Sequence, residues 1–350
     1  MKITVTGGAG FIGFHSCRYF AEKGHDIFLL DDFSRKGSRA HAEKLISEFG
    51  EKIKIVECDI SVSSTENLSI IEKIVSQSDV VIHLAAQVAV TTSVKNPRRD
   101  FEVNALGALN LLEACRKAST KPFIIYSSTN KVYGGMDHLE IIERDNRYYF
   151  AEHLYGISET ALLDFHSPYG CSKGAADQYV RDYNRIYGVP SVVLRQSCIY
   201  GTEQYGHEEQ GWIAHLTLNA CRNMPIKVFG DGKQVRDVLF AQDLVELFDA
   251  CIQNMKKVSG KIYNAGGGYK NILSLLDLIE ILEKTLGRKI EKSFHDWRPG
   301  DQKVYISDID QLKKDLEWEP KISPTEGVEK IIHWQKGNKV EIEKILSSQG

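Results

Sequence analysis

The run Ile3-Thr4-Val5-Thr6-Gly7-Gly8-Ala9-Gly10-Phe11-Ile12-Gly13 constrains this chain more than any other part of it. A β-branched strand is followed by spaced glycines and then by an apolar helical pattern. That order predicts a strand turning tightly into a helix. Gly7 permits the turn, Gly10 lets backbone approach a pyrophosphate, and Gly13 lets helix and strand lie close. The backbone of Phe11 and Ile12 opens the helix, whose free amides and partial positive charge then face an anion.

The rhythm set by this unit continues. Strands are predicted over Lys2–Thr6, Asp26–Leu30, Ile53–Glu57, Val80–Leu84, Phe123–Ser127 and Ser191–Arg195. Helices are predicted between them, over Phe11–Lys23, Arg39–Glu48, Glu66–Ser76, Arg98–Ala118 and Cys171–Tyr187. Alternation with nearly continuous apolar strands predicts an α/β fold, a Rossmann-type doubly wound parallel sheet covered on both faces. Residues 135–168 break the rhythm: they are polar, aromatic-rich and not clearly periodic. A connection that long inside a compact domain is usually functional.

After Arg195 strands become sparse. A strand-turn-strand is predicted over Ile226–Gly232 and a strand over Lys261–Asn264, with helices over Asp243–Gln253, Leu273–Leu286 and Pro324–Lys336. This reads as a smaller mixed C-terminal substrate domain. We expect residues 1–196, with about 237–265, to form the dinucleotide-binding domain. The rest, about 197–236 and 266–350, should form the second.

Composition narrows the partners. With 44 basic against 47 acidic side chains, no global positive field points to nucleic acid or an anionic membrane. Seven scattered cysteines without a C-x-x-C read as core thiols in a reducing compartment. No apolar stretch approaches the roughly 18–20 residues of a membrane span. The first strand begins too early for a signal peptide, so a cytoplasmic protein is expected. His207, Glu208 and His215 fit no zinc spacing, and no metal is expected.

The second predicted strand ends Leu30-Asp31-Asp32-Phe33-Ser34-Arg35. An acid here, Asp31 or Asp32, can accept hydrogen bonds from a ribose diol and repels a 2′-phosphate, which favours NAD over NADP. Arg35 and Lys36 pull the other way, since a cation here can hold a phosphate. Asp59 and Ile60, past the third strand, border the adenine or cap a helix. Leu84, Ala85, Ala86 and Gln87, past the fourth, leave room for ribose and nicotinamide.

Tyr169 and Lys173 lie four residues apart on one helical face. A phenol with a pKa of ~10 is a poor base at neutral pH, and a neighbouring ammonium lowers it. Thr129, at the end of the fifth strand, can hydrogen-bond a substrate hydroxyl at the sheet's ligand crevice. Arg236 and Arg298 offer guanidinium forks for a diphosphate. Lys227, Val228 and Phe229 line a base pocket or simply form a strand, and Trp212 packs on a nucleotide or in the core.

Longer segments carry a resemblance. They are Ser128-Thr129-Asn130-Lys131-Val132-Tyr133-Gly134, Leu163-Asp164-Phe165-His166-Ser167-Pro168-Tyr169-Gly170-Cys171-Ser172-Lys173, Gln210-Gly211-Trp212, and Gly230-Asp231-Gly232-Lys233-Gln234-Val235-Arg236-Asp237-Val238. On these the chain resembles the extended short-chain dehydrogenase/reductases that act on nucleotide sugars, and is most similar to the CDP-tyvelose (CDP-paratose) 2-epimerases. The resemblance implies a catalytic trio of Thr129, Tyr169 and Lys173, tightly bound NAD, and Asn104 supporting the lysine. It assigns Arg236 and Arg298 to the substrate diphosphate, with Gln87, Thr129, Asn130 and Cys198 about the sugar. It also implies a homodimer or homotetramer built on the helices over Arg98–Ala118 and Cys171–Tyr187. Two departures matter. The family's 4,6-dehydratases carry an acidic pair where this chain has Asn130 and Lys131, and many 4-epimerases carry an asparagine where it has Cys198. A UDP-hexose 4-epimerase and a non-catalytic dinucleotide sensor stay open as alternatives.

Overall fold

Seven strands form one fully parallel sheet in the computed structural model, which describes residues 1–208, 210–297 and 302–347. They are β1 (Lys2–Thr6), β2 (Asp26–Asp31), β3 (Ile53–Glu57), β4 (Val80–His83), β5 (Phe123–Thr129), β6 (Ser191–Gln196) and β7 (Ile262–Ala265), in the spatial order β7-β6-β5-β4-β1-β2-β3. The order reverses between β1 and β4, which pair as neighbours from Ile3↔Val80 to Thr6↔His83. At such a switch point the connections leave in opposite directions and open a crevice at the carboxyl ends of the strands.

Continuous apolar strands require cover on both faces, and both are covered. One face packs Phe14, Cys17 and Phe20 of helix α1 (Phe11–Glu22) with Leu244, Leu247 and Phe248 of the helix Ala241–Gln253. The other packs Ile71, Leu111, Leu112, Ala176 and Val180 from three further helices. The edge strand β3 is the exposed one, with Lys54, Ile55 and Glu57 open to solvent.

The smaller lobe has its own core, with Ile226, Val228, Leu278, Leu282, Val328 and Ile331 at its centre. Its main strand, Val235–Phe240, pairs parallel with Cys198–Tyr200 and Val304–Tyr305 and antiparallel with Ile272–Ser274. The strand-turn-strand expected over 226–232 is present: the strand Ile226–Phe229 is followed by a turn over 230–232 and then by the strand Val235–Phe240. The first of these pairs parallel with Lys292–His295, and the Gln234 side chain donates to Phe229 O across the turn. The helix expected from Leu273 starts at Leu275, because Ser274 caps it in a reciprocal box with Asp277.

The helix expected over Arg98–Ala118 is one continuous helical run, Pro97–Phe101, a π-turn over Glu102–Leu106 and Gly107–Lys117. Segment 135–168 contains a hairpin, Ile141–Arg144 with Arg147–Phe150, turned by Asp145 and Asn146 at positive φ. It reaches the smaller lobe, where Tyr148 Oη donates to Asp231 at 2.5 Å and Arg147 Nε to Asp277 at 2.8 Å.

No helix among the described residues is long and apolar enough to cross a membrane.

Candidate active site

The phosphate loop is held by sterics and by side chains. Gly7 has φ +67°, and a Cβ there would lie 2.8 Å from Ala85 N; a Cβ on Gly13 would lie 2.1 Å from Gly7 O. Gly10 adopts an extended conformation just before α1, whose first turn carries no acid and no side-chain cap. The amides of Phe11, Ile12 and Gly13 therefore face the crevice mouth without intrahelical partners. Asp31 Oδ2 accepts from Ala9 N at 3.0 Å and its Oδ1 from Phe33 N at 2.8 Å. Burial raises the Asp31 carboxyl above its ordinary value, while these two amides work against it. Asp32 instead accepts from Ser34 N and Oγ, and Arg35 reaches Gln210 Oε1 at 2.9 Å.

Asp59 is not the cap of the next helix; Ser64 is. Asp59 accepts from Ser61 and from Arg99 Nη2 at 2.8 Å, and Ile60 is buried against Gly107. Past β4, Leu84 N and Ala85 N donate to Thr6 Oγ1, which also meets His83 Nδ1. Burial draws His83 down to about 3, so it is a neutral structural residue.

Gln87 turns its amide onto Ala89 and Asp100. Asn104, in the π-turn, grips the Gln87 backbone from both sides, at 2.9 Å to N and 3.0 Å to O, and donates to Ser172 Oγ. Ser172 Oγ donates in turn to Asp100 at 2.5 Å. Gln87, Asp100, Asn104 and Ser172 thus tie the exit of β4 to the helix Ser167–Tyr187, which carries Tyr169 and Lys173. The polar contacts of Asn104 run to Gln87, Asp100 and Ser172, beside the lysine rather than to it. Asp100 and Ser172 escape sequence reading. One signal exists in hindsight, the spacing of Asp100 and Asn104, four apart on one helical face.

Thr129, Tyr169 and Lys173 are all buried, at 6%, 9% and 4% exposure. Thr129 Oγ1 accepts from Lys131 N at 3.2 Å. Burial raises the Tyr169 phenol above its ordinary value, with neighbouring Thr129 acting in the opposite direction. Lys173 was expected to lower it, but is not among the groups that do. Its ammonium is turned onto Ser127 O and lies 4.4 Å from the Tyr126 ring centre. Burial draws Lys173 down to about 7, with Asp177 and Asp100 opposing.

That shift has a measurable sign. Between about pH 7 and the ordinary lysine range the unfolded chain holds a proton that the folded chain has shed, so stability rises with pH across that window. In cofactor-free protein, the stability of wild type relative to Lys173→Met should improve from about pH 6.5 to about 9, read as denaturant midpoints. A flat difference would mean that Lys173 keeps its ordinary pKa.

Asn130 is buried and accepts from Thr129 Oγ1 at 3.4 Å. Cys198, on the strand Cys198–Tyr200, has its thiol raised by burial, with Arg236, Trp212 and Lys131 acting in the opposite direction. Lys131 Nζ donates to Gln302 at 2.6 Å, and Gln302 holds Gly134 O. The structure thus gathers Thr129, Tyr169 and Lys173 at the end of β5, and Lys131, Cys198 and Arg236 on the side of the smaller lobe. Arg298 lies outside the described residues.

Comparison with known proteins follows this geometry. The NAD dependent epimerase/dehydratase family matches residues 3–266. CDP-paratose 2-epimerase of Salmonella typhi is 40% identical over 341 residues, spanning 95% of this chain and 99% of that protein. dTDP-glucose 4,6-dehydratase of Escherichia coli is 30% identical, spanning 99% of this chain and 96% of that protein. The crystal structure of UDP-glucose 4-epimerase from Thermotoga maritima, with UDP-glucose, superposes with a TM-score of 0.82 at 30% identity and covers 97% of this chain and 100% of that one.

The cradle fits the family's dinucleotide. Glycines stand where a Cβ would strike backbone, amides are free at the head of α1, and a carboxylate ends β2. By its sequence match, its doubly wound sheet and this cradle, the chain belongs to the NAD dependent epimerase/dehydratase family, among the extended short-chain dehydrogenase/reductases.

Proposed function

We propose that this chain is a nucleotide-sugar epimerase that interconverts CDP-paratose and CDP-tyvelose by inverting carbon 2. The observation that carries the reading is the 40% identity to a CDP-paratose 2-epimerase across nearly the full length of both chains. The intact Thr129, Tyr169 and Lys173 support catalysis over mere dinucleotide sensing.

Gly7, Gly10 and Gly13 would cradle NAD and Asp31 would meet its ribose, and the bound cofactor would supply a reversible acceptor for the hydride of the reacting carbon. The chain's own side chains handle the proton. Tyr169 Oη removes it from the sugar hydroxyl and returns it after the ring has turned. Thr129, beside that phenol, helps to fix where the reacting oxygen must sit. Lys173, whose ammonium is turned onto Ser127 O, would hold the cofactor ribose and would favour the phenolate once directed there. Burial of all three excludes bulk water and strengthens each contact. Arg236, with Arg298, holds the diphosphate while the sugar turns.

Lys131 supports epimerisation over water loss. It stands where the dehydratases of the family carry an acid, and its charge is committed to Gln302. A 4-epimerase of UDP-hexoses is the second reading, favoured by the 30% identity to the Thermotoga maritima enzyme. Cys198, in place of an asparagine, speaks against it.

Incubation with CDP-paratose, CDP-tyvelose and UDP-glucose, followed by NMR, tests the reading. We expect the two CDP sugars to interconvert, UDP-glucose to persist, and deuterium placed on carbon 2 to remain in the product. Conversion of UDP-glucose to its 4-epimer, a 4-keto-6-deoxy product, or wash-out of the label would each overturn it.

A further inference from the structure

The segment that leaves the strand Cys198–Tyr200 lies against the cofactor half of the molecule. His15 Nε2, on α1, contacts Thr202 O at 2.9 Å. Lys44, on the helix Ser38–Phe49, pairs with Glu203 Oε1. Tyr205 stacks on His41 of the same helix at 5.2 Å between ring centres, and its ring lies within 2.6 Å of where a Cβ on Gly37 would stand.

His41 is the centre of these contacts. Its Nδ1 lies 2.9 Å from Ala9 O, so that nitrogen carries the proton and donates to the phosphate loop. Ala9 N is already held by Asp31, so both polar atoms of one loop residue are gripped by side chains. The other imidazole nitrogen, Nε2, faces Glu203 Oε2 at 3.8 Å. Both atoms are buried and neither has a hydrogen-bond partner, in side chains only 4% and 6% exposed. Glu203 also holds φ at +59°, a conformation rare for a side chain of its kind. Strain and unmatched buried polar atoms together mark a contact kept for use rather than for stability.

We propose that His41 and Glu203 are positioning residues that latch the segment leaving the sugar side onto the phosphate loop, so that substrate occupancy and retention of NAD are coupled. The chain of contact is short. Cys198 and Arg236 face the substrate side, Glu203 follows five residues after Cys198, and His41 joins Glu203 to Ala9. Coupling of this kind is reciprocal in affinity: a nucleotide that settles the strand must tighten binding of the dinucleotide by the factor with which NAD tightens the nucleotide. For an enzyme that must not release its keto intermediate, this keeps the hydride acceptor in place while substrate is bound. The substrate half of the inference rests on the function proposed above.

The test uses NAD-loaded holoenzyme diluted into NAD-free buffer, with loss of NAD timed alone and under saturating CDP. Glu203→Gln removes the carboxylate charge. His41→Asn keeps a donor toward Ala9 O and removes the nitrogen facing Glu203. We expect CDP to slow NAD loss in wild type about tenfold. In both variants NAD should leave about tenfold faster without CDP, and the CDP effect should fall below about twofold. Glu203→Gln should keep wild-type kcat at saturating NAD, which separates a weakened latch from damaged chemistry. If one variant fails to fold, the other decides. Wild-type retention of NAD in the variants, or an equal CDP effect in all three proteins, would overturn the latch. Calorimetry with CDP and UDP separates the premises: wild type that binds neither refutes the proposed substrate, and the nucleotide-free arm then decides whether Glu203 and His41 grip the loop.

Discussion

Tyr169→Phe should lower turnover about 10²–10⁴-fold, the range that a positioned general base contributes. The fold and the bound NAD should be retained. The ring stays buried, and the change removes only the hydroxyl beside Thr129. KM for the nucleotide sugar should change little, because the phenol reports on the reacting hydroxyl and not on the diphosphate. The defect should then appear in kcat and kcat/KM alike, the mark of an interaction made in the transition state. Turnover within tenfold of wild type would remove Tyr169 from the chemistry. The raised phenol sharpens the expectation: a group that burial keeps protonated contributes as a base only where the bound complex reverses that shift.

The largest expected loss of stability follows from Asp177→Asn. Asp177 and Arg195 pair at 3.0 Å with side chains 0% and 2% exposed. The guanidinium also meets Asp177 Oδ1 at 3.1 Å and Tyr133 Oη at 3.0 Å, and Ser128 Oγ donates to Asp177 Oδ2 at 2.7 Å. Removing the carboxylate charge leaves Arg195 buried without its counter-ion, which costs about 3–5 kcal/mol. Replacing both partners with leucine should recover much of that, since a buried pair owes most of its value to cancelling its own desolvation. Denaturant midpoints at constant m check both outcomes. A single variant within about 1 kcal/mol of wild type would mean that water reaches the site and compensates the charge.

The central sheet was legible because its strands carry their own signature. Val80 to His83 and Ser191 to Arg195 are buried on both faces, so apolar content and length sufficed. The phosphate loop was legible for a steric reason: Gly7 and Gly13 stand where no side chain fits. The Asp177–Arg195 pair was not legible, since an arginine ending an apolar strand reads as a solvated terminus. Nothing in one dimension joins it to an aspartate on the preceding helix. Asp100 and Asn104 were hidden for a related reason. Their partners Gln87 and Ser172 come from two other elements that meet only in the fold. The hairpin at 141–150 left one overlooked trace, the two-residue Asp145-Asn146 turn between residues of strand character.

That hairpin has a mechanical consequence. By chain order it belongs with the cofactor half, strung between the turn after Thr129 and the first turn of the helix bearing Tyr169. By contact it is riveted to the other half, through Tyr148 to Asp231, Arg147 to Asp277 and Lys233 to Glu143. A strut built into one wall and riveted to the other turns any parting of the walls into tension at its two roots. Those roots are the flanks of Thr129 and Tyr169, so a gaping cleft would pull on the two side chains that must stay in register.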